Sequence, residues 1–255
     1  MPGAAMPAAG TVLALVLATT GPQPRQSGAE LMSESTRAMQ RDDTQNPAML
    51  WVGDGEAAWA ARTGAAGKAC ADCHGRAEDS MRGVAATYPR YQPETGRVMT
   101  LGQRIGHCRE RHQQAAALAA ESDGLLALES FVALQSRGMP VSPSGDRYTQ
   151  AAAEAGRVLF FQRIGQLGLS CAQCHDLNWG KRLAGAPIPQ GHANAYPIYR
   201  LEWQSVGSLQ RRLRNCMSGV RAEVPPFDAP ELVQLEAYLA VRAAGMPLES
   251  PGVRP

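Results

Sequence analysis

The sequence predicts a mainly α chain built from two tandem copies of one domain, and three observations carry that expectation. The motif Cys-x-x-Cys-His occurs twice, at Cys70-Ala-Asp-Cys73-His74 and at Cys171-Ala-Gln-Cys174-His175. The segment GLLALESFVALQSRGMPVSPSG (124–145) recurs as ELVQLEAYLAVRAAGMPLESPG (231–252). Between motif and segment each half carries one more cysteine, in LGQRIGHCRERHQ (101–113) and LQRRLRNCMSGVR (209–221). A chain of 255 residues is long enough for two domains of about 110 residues each. Its net charge of only +2 argues against a general nucleic-acid or membrane-surface binder.

The chain opens with MPGAAMPAAGTVLALVLATTGPQPRQSGAE, in which residues 11–20 form an apolar run too short to span a bilayer. Small residues Ser27 and Ala29 supply a cleavage site, so 1–29 reads as a secretory signal peptide and the mature chain starts at Glu30. The departure from that pattern is an n-region without Lys or Arg. A disordered Ala/Pro-rich tail is the alternative. No later segment has the length and apolarity of a membrane span, so the mature chain is expected to be soluble.

Each Cys-x-x-Cys-His has the spacing of c-type haem attachment. Two thiols one helical turn apart can each form a thioether to a porphyrin vinyl group, and the adjacent histidine then lies under the iron. A zinc site would want its two C-x-x-C knuckles within about 20 residues, and these begin far apart in the chain. A thioredoxin-type dithiol would want a βαβ setting, whereas the flanks here are Ala-rich and helical. Cys70, Cys73, Cys171 and Cys174 are therefore expected to attach two haems covalently, with His74 and His175 as proximal ligands. Two haems also fit an aromatic content of only 5%, because each porphyrin supplies a flat apolar body for helices to pack on.

Cys108 and Cys216 remain. In an exported protein the two could form a disulfide. Met217 offers methionine ligation beside Cys216, and His107 or His112 offers bis-histidine ligation in the first half. In the repeat, however, Met217 aligns with Arg109 and His107 with Asn215, so neither alternative serves both halves. Cysteine thiolate serves both, if the two haem pockets are built alike.

Each half closes on an amphipathic helix, with Leu125, Leu128, Phe131, Val132 and Leu134 in the first and Leu232, Leu235, Tyr238 and Leu239 in the second. The second is expected to start from Asp228 as N-cap with Pro230 in the first turn. Both are expected to stop at Gly-Met-Pro, where glycine suits a left-handed cap and proline cannot continue the helix. The Pro/Ser/Gly-rich stretch 139–147 marks the boundary. The fold class is thus mainly α: two tandem cytochrome c-like haem domains related by internal duplication, at 30–142 and 143–255.

Positive charge gathers around the second lone cysteine. Arg211, Arg212, Arg214 and Arg221 lie within five residues of Cys216, and Lys181, Arg182 and Arg200 precede them. Most of these suit a solvated helix face. Arg212, four residues ahead of Cys216, shares its side of a helix, and guanidinium binds oxyanions through two parallel donors. Arg104 stands at the same offset from Cys108, so the extra charge of the second half is what points to a small anionic sulfur or oxygen substrate there.

The stretches LSCAQCHDLNWGKRLAGAPIPQGH (169–192), AYPIYRLEWQSVGSLQRRLRNCMSGVRAE (195–223) and LEAYLAVRAAGMPLESP (235–251) resemble the SoxA family of the SoxAX cytochromes, as do NPAMLWVGDGEAAW (46–59) and IGHCRE (105–110). Some members lack the first haem site. This chain retains Cys70, Cys73, His74 and Cys108, and so resembles the dihaem type. The resemblance implies a haem-dependent L-cysteine S-thiosulfotransferase, which couples thiosulfate oxidatively to a cysteine of a SoxYZ-like carrier and passes two electrons on. It implies a SoxX-like monohaem cytochrome c as partner, two covalently bound haem c groups and, with the export signal, a periplasmic location. It further implies axial pairs His74/Cys108 and His175/Cys216, Cys216 as the catalytic residue carried as a persulfide, and Arg212 as a substrate-binding residue. A dihaem electron-transfer cytochrome without substrate chemistry is the alternative from another class, and a dihaem peroxidase is a third.

Overall fold

The computed structural model describes residues 24–255. The first 23 residues of the expected signal peptide lie outside the described residues. The first half runs α1 (Glu34–Arg41), α2 (Met49–Ala60), the one-turn helices α3 (Ala71–His74) and α4 (Ala77–Ser80), then the hairpin strands β1 (Arg90–Gln92) and β2 (Arg97–Met99). It continues with α5 (Leu101–Cys108), a π-helical turn over Arg109–Gln113, and α6 (Asp123–Leu134). The second half repeats the order: α7 (Arg147–Phe161), α8 (Cys171–His175), a short ribbon β3 (Arg182–Leu183) and β4 (Ala186–Pro187), the hairpin β5 (Ile198–Arg200) and β6 (Ser205–Gly207), α9 (Leu209–Gly219) and α10 (Pro230–Arg242). A last strand, β7 (Gly252–Arg254), pairs parallel to β5.

The duplication is visible in packing as well as order. In each half the opening helix crosses the closing one at a glycine: α2 on α6 at Gly55, α7 on α10 at Gly156. A Cβ on Gly55 would sit 2.1 Å from the Ala127 carbonyl oxygen, and one on Gly156 would sit 1.9 Å from that of Gln234. Hydrogen at those positions is what lets the backbones meet. One turn on, Trp59 packs on Phe131 at 5.9 Å and Phe160 on Tyr238 at 5.3 Å between ring centroids. The two lone-cysteine helices start alike, with the Thr100 hydroxyl accepting from the Gln103 amide and the Ser208 hydroxyl from that of Arg211.

Two local expectations are corrected. The N-cap of α10 is Ala229, with no side-chain cap, because Asp228 adopts the left-handed conformation (φ 65°) and its carboxyl is engaged by Gln210 and Gln103. The closing helices end at Leu134 and Arg242, before Gly-Met-Pro. Gly138 (φ 79°) and Gly245 (φ 82°) lie in the turns beyond. Those turns zip the halves together: Gly138 donates to the Leu248 carbonyl, Leu248 to Met139, Val141 to Met246 and Gly245 to Val141, all between 2.8 and 2.9 Å.

A shared core completes the joint, with Ala48 and Leu126 of the first half buried against Tyr199, Val206 and Val253 of the second. The first described residues also pack on the second half. Gln26 donates its backbone N–H to the Gln190 side chain at 2.8 Å, and Arg25 donates to the Ala244 carbonyl at 2.5 Å. Among the described residues no helix is long and apolar enough to cross a membrane.

Candidate haem sites and an arginine-lined cavity

The first Cys-x-x-Cys-His forms the single turn α3, and its three functional side chains share a cleft of about 890 Å³ with Cys108 from the C-terminal end of α5. Trp59, Val84, Leu101, Ile105, Leu128 and Val132 give the cleft its apolar walls. His112 also lines it, whereas His107 does not. The His74 ring lies 5.6 Å from Trp59, whose indole N–H donates to the Gly75 carbonyl at 3.0 Å. Burial raises the Cys70 and Cys108 thiols above their ordinary range, and Arg104 works in the opposite direction on Cys108. Partial burial, with Arg104, holds His74 below the usual imidazole value.

The second motif forms α8, capped by Ser170. Phe160 stands 6.5 Å from the His175 ring, as Trp59 stands by His74. Here the imidazole has a partner: Nδ1 lies 2.7 Å from the Pro189 carbonyl oxygen, which orients the ring and leaves Nε2 for a metal. Gly191 (φ 73°) lets the loop close over the ring, since a Cβ there would be 3.1 Å from His175 Cγ. Burial pushes Cys171 up to about 11, with Cys216 adding to the effect, and burial holds His175 below its ordinary range. Cys216 lies in the last two turns of α9, and neighbouring Met217 packs into the cluster around Phe160, Leu235 and Leu239.

No disulfide joins any of the six cysteines, and Cys108 and Cys216 belong to different sites. In the first half the structure brings two thiols, an imidazole and a further thiol to one cleft, and in the second it packs Cys171 in one cluster with Leu209, Leu213 and Met217 of the helix that carries Cys216. This donor set, walled in the first half by an open apolar cleft, fits covalent haem.

Arg212 lines an adjoining cavity of about 730 Å³ together with His192, Tyr196, Arg200 and Arg254. The arginines of α9 differ in their engagements. Arg211 donates to the Ser205 hydroxyl and stacks on Trp203 at 4.2 Å. Arg214 donates to the Pro225 carbonyl and stacks on Phe227 at 4.1 Å. The Arg212 side chain makes no hydrogen bond or ion pair among the described residues. In the first half Arg104, at the matching position, is held in an ion pair by Glu94.

Sequence reading missed the Pro189 carbonyl, Glu94 and the hairpin residues beside Arg212. One signal was available for the last two: Glu94 and Glu202 each lie ten residues ahead of the arginine of their half. No motif marks a backbone carbonyl, so Pro189 had none.

The model of the SoxA/TsdA cytochrome c domain matches this chain twice, over residues 54–141 and 155–248. The chain is 37% identical to the L-cysteine S-thiosulfotransferase subunit SoxA of Rhodovulum sulfidophilum over 90% of its length and 80% of that protein's. It is 34% identical to the subunit of the same name from Paracoccus pantotrophus, over 89% of this chain and 78% of that one. The crystal structure of SoxXA from P. pantotrophus superposes on it with a TM-score of 0.87 at 34% identity, covering 91% of this chain and 87% of that one.

Proposed function

The chain belongs to the SoxA/TsdA cytochrome c family, whose domain binds haem c covalently, and from that premise we propose that it acts as a haem-dependent L-cysteine S-thiosulfotransferase of the periplasm. It works with a SoxX-like monohaem cytochrome c, joins thiosulfate to a cysteine of a SoxYZ-like carrier, and holds two haem c groups, one in each of the domains 30–142 and 143–255. The reaction balances as carrier thiol plus thiosulfate giving carrier S-thiosulfonate, one proton and two electrons.

Cys70, Cys73, His74 and Cys108, which line one cleft, would hold the first haem. Cys171, Cys174, His175 and Cys216 would hold the second. When bound, haem supplies acceptors that take electrons singly, which a two-electron coupling needs. The residues of the chain do the rest. Arg212 binds the sulfonate end of thiosulfate through its planar pair of donors and turns the outer sulfur toward Cys216. The Cys216 sulfur, as thiolate or persulfide, forms a sulfur–sulfur bond with that outer sulfur as two electrons leave. The carrier thiolate then attacks the same outer sulfur, takes the thiosulfonate group, and releases the Cys216 sulfur for another cycle. The Pro189 carbonyl keeps the His175 ring fixed throughout.

One observation carries the reading: the guanidinium four residues ahead of Cys216 is without a protein partner among the described residues, while its counterpart ahead of Cys108 is neutralised by Glu94. A cation left free beside a sulfur nucleophile suits an anionic sulfur substrate and has no use in a simple electron carrier.

The test is incubation of the haem-loaded complex with thiosulfate, oxidised cytochrome c and a carrier protein, followed by intact mass measurement. The expected result is a thiosulfonate added to the carrier cysteine and two haems on this chain. Cytochrome reduction with no mass added to the carrier would replace this reading with the electron-transfer alternative.

A further inference from the structure

The hairpins that precede α5 and α9 are built alike. In the first, the amides of Thr95 and Gly96 donate to the Gln92 carbonyl at 3.1 and 2.9 Å. In the second, those of Trp203 and Gln204 donate to the Arg200 carbonyl at 3.0 and 2.9 Å. Gly96 (φ 67°) and Gln204 (φ 51°) take the same left-handed position. Each turn therefore offers a glutamate, Glu94 or Glu202, at the same point, with an arginine at the same point of the helix that follows.

In the first half the two meet: Glu94 pairs with Arg104. In the second half Glu202 goes to Arg200 instead, at 3.2 Å. The residue that differs is the one before the turn. The first half has Gln92 there, neutral and buried, with its amide on the Tyr88 hydroxyl at 3.4 Å. The second has Arg200, its side chain only 9% exposed. Arg200 is itself immobilised: its Nε donates to the Pro255 carbonyl at 2.9 Å, and its guanidinium stacks on Trp203 at 5.1 Å. A charge buried and pinned in this way keeps its carboxylate partner, because losing it would leave the guanidinium unpaired.

We propose that Arg200 is a positioning residue that holds Glu202 on itself and away from Arg212, so that the Arg212 guanidinium stays open to a small sulfur oxyanion. The inference rests on the reading of Arg212 as the substrate-binding residue. Gln at position 200 recreates the first-half arrangement, and Glu202 then closes on Arg212 as Glu94 closes on Arg104. Thiosulfate must displace that carboxylate before it can bind.

The experiment is steady-state kinetics on the haem-loaded complex with thiosulfate and carrier. Arg200→Gln is expected to raise the thiosulfate KM about fivefold at unchanged kcat, the equivalent of an ion pair worth about 1 kcal/mol. Adding Glu202→Gln to that variant is expected to restore the KM. Glu202→Gln alone is expected to leave it unchanged, because Glu202 is already held by Arg200; a KM lowered by that single change would mean that total charge near the site is what matters, and would overturn the proposal. It would equally be overturned by Arg200→Gln leaving the KM as it was, by a raised KM that Glu202→Gln fails to restore, or by altered haem absorbance in Arg200→Gln. Arg212→Ala, measured alongside, separates the two readings. If it leaves the KM untouched, the assignment of Arg212 has failed; if it raises the KM while Arg200→Gln does not, only the role of Arg200 has.

Discussion

Arg104 and Arg212 stand at the same place on two copies of one helix, four residues ahead of Cys108 and Cys216. The first is neutralised by a glutamate from the preceding turn, and the second is left without a partner among the described residues. The histidines differ in a similar way, since His175 is oriented by the Pro189 carbonyl at 2.7 Å and no such bond is found for His74 among the described residues. The frame around them hardly changes: matching glycine crossings, an aromatic ring beside each histidine (Trp59 in one half, Phe160 in the other), and a like hairpin leading into a like helix. The two halves share one scaffold, and what differs between them is a few polar side chains on a loop and a turn. Apolar packing tolerates little drift because every contact is shared, while a polar group at a turn can be exchanged at little cost to the fold.

The sharpest break in this symmetry is expected at the cysteines. Cys216→Ala should lower thiosulfate-dependent modification of the carrier by about 10³-fold or more, the scale of losing a nucleophile. Cys108→Ala should disturb the absorbance and potential of its own haem and leave turnover within a few-fold. Both are read by the carrier's intact mass and by visible spectra. Near-normal turnover in Cys216→Ala would remove that residue from the chemistry.

The arginines should differ less. Arg212→Ala is expected to lower kcat/KM for thiosulfate by about 10²-fold, as for removal of one partner from a partly buried charge contact, with the second haem retained by its thioethers and His175. Arg212→Lys should recover only part of the loss, because an ammonium lacks the planar fork. Arg104→Ala should leave kcat/KM unchanged, since that guanidinium is already occupied by Glu94. Equal losses at both positions would make the two halves chemically equivalent and defeat the comparison.

At the helix crossings the halves should behave alike. Gly55→Ala and Gly156→Ala each push a methyl into a backbone carbonyl, so each should cost about 3 kcal/mol or more in a denaturant midpoint measurement. Tolerance at one crossing alone would show that the two copies do not pack in the same way.

Much of this is legible in the amino-acid sequence. The two Cys-x-x-Cys-His turns, the lone cysteines and the closing helices announce themselves because haem attachment and helix burial impose fixed spacings on residue types. Helix ends were less legible: a Gly-Met-Pro reads as a stop, yet the last turn unwound before it, and Asp228 looks like an N-cap until its left-handed backbone is seen. The partners of Arg25 and Gln26, more than 160 residues away in sequence, carry no motif that could announce them. Long-range polar partners such as Glu94 for Arg104, or Glu202 for Arg200, have no motif of their own. They become readable only when the repeat is laid over itself.

The faintest asymmetry is expected where the halves face each other. Glu129 on α6 and Glu236 on α10 occupy matching places and line one cavity at the joint, with Gln103, Glu121, Gln210 and Asp228 around them. Burial, reinforced for Glu129 by Glu236, Glu121 and Asp228, pushes its carboxyl up to about 8. Burial does the same for Glu236, with Asp228 and Glu121 adding to it, while Gln210 pulls the other way. Both values lie above the unfolded 4.5, so the folded chain holds these protons more tightly than the unfolded one. The stability they contribute is complete below pH 4.5 and is lost as pH rises toward about 8, at roughly 1.4 kcal/mol per pH unit for each acid that ionises. Glu129→Gln or Glu236→Gln removes one ionisation while keeping the shape. Either variant should match the parent in thermal melts at low pH and exceed it increasingly toward pH 8, with the double variant gaining less than the sum, because each carboxylate is part of what the other must ionise against. A pH-independent difference in melting temperature would mean that these carboxyls ionise as ordinary surface acids and that the joint between the halves carries no proton-linked term.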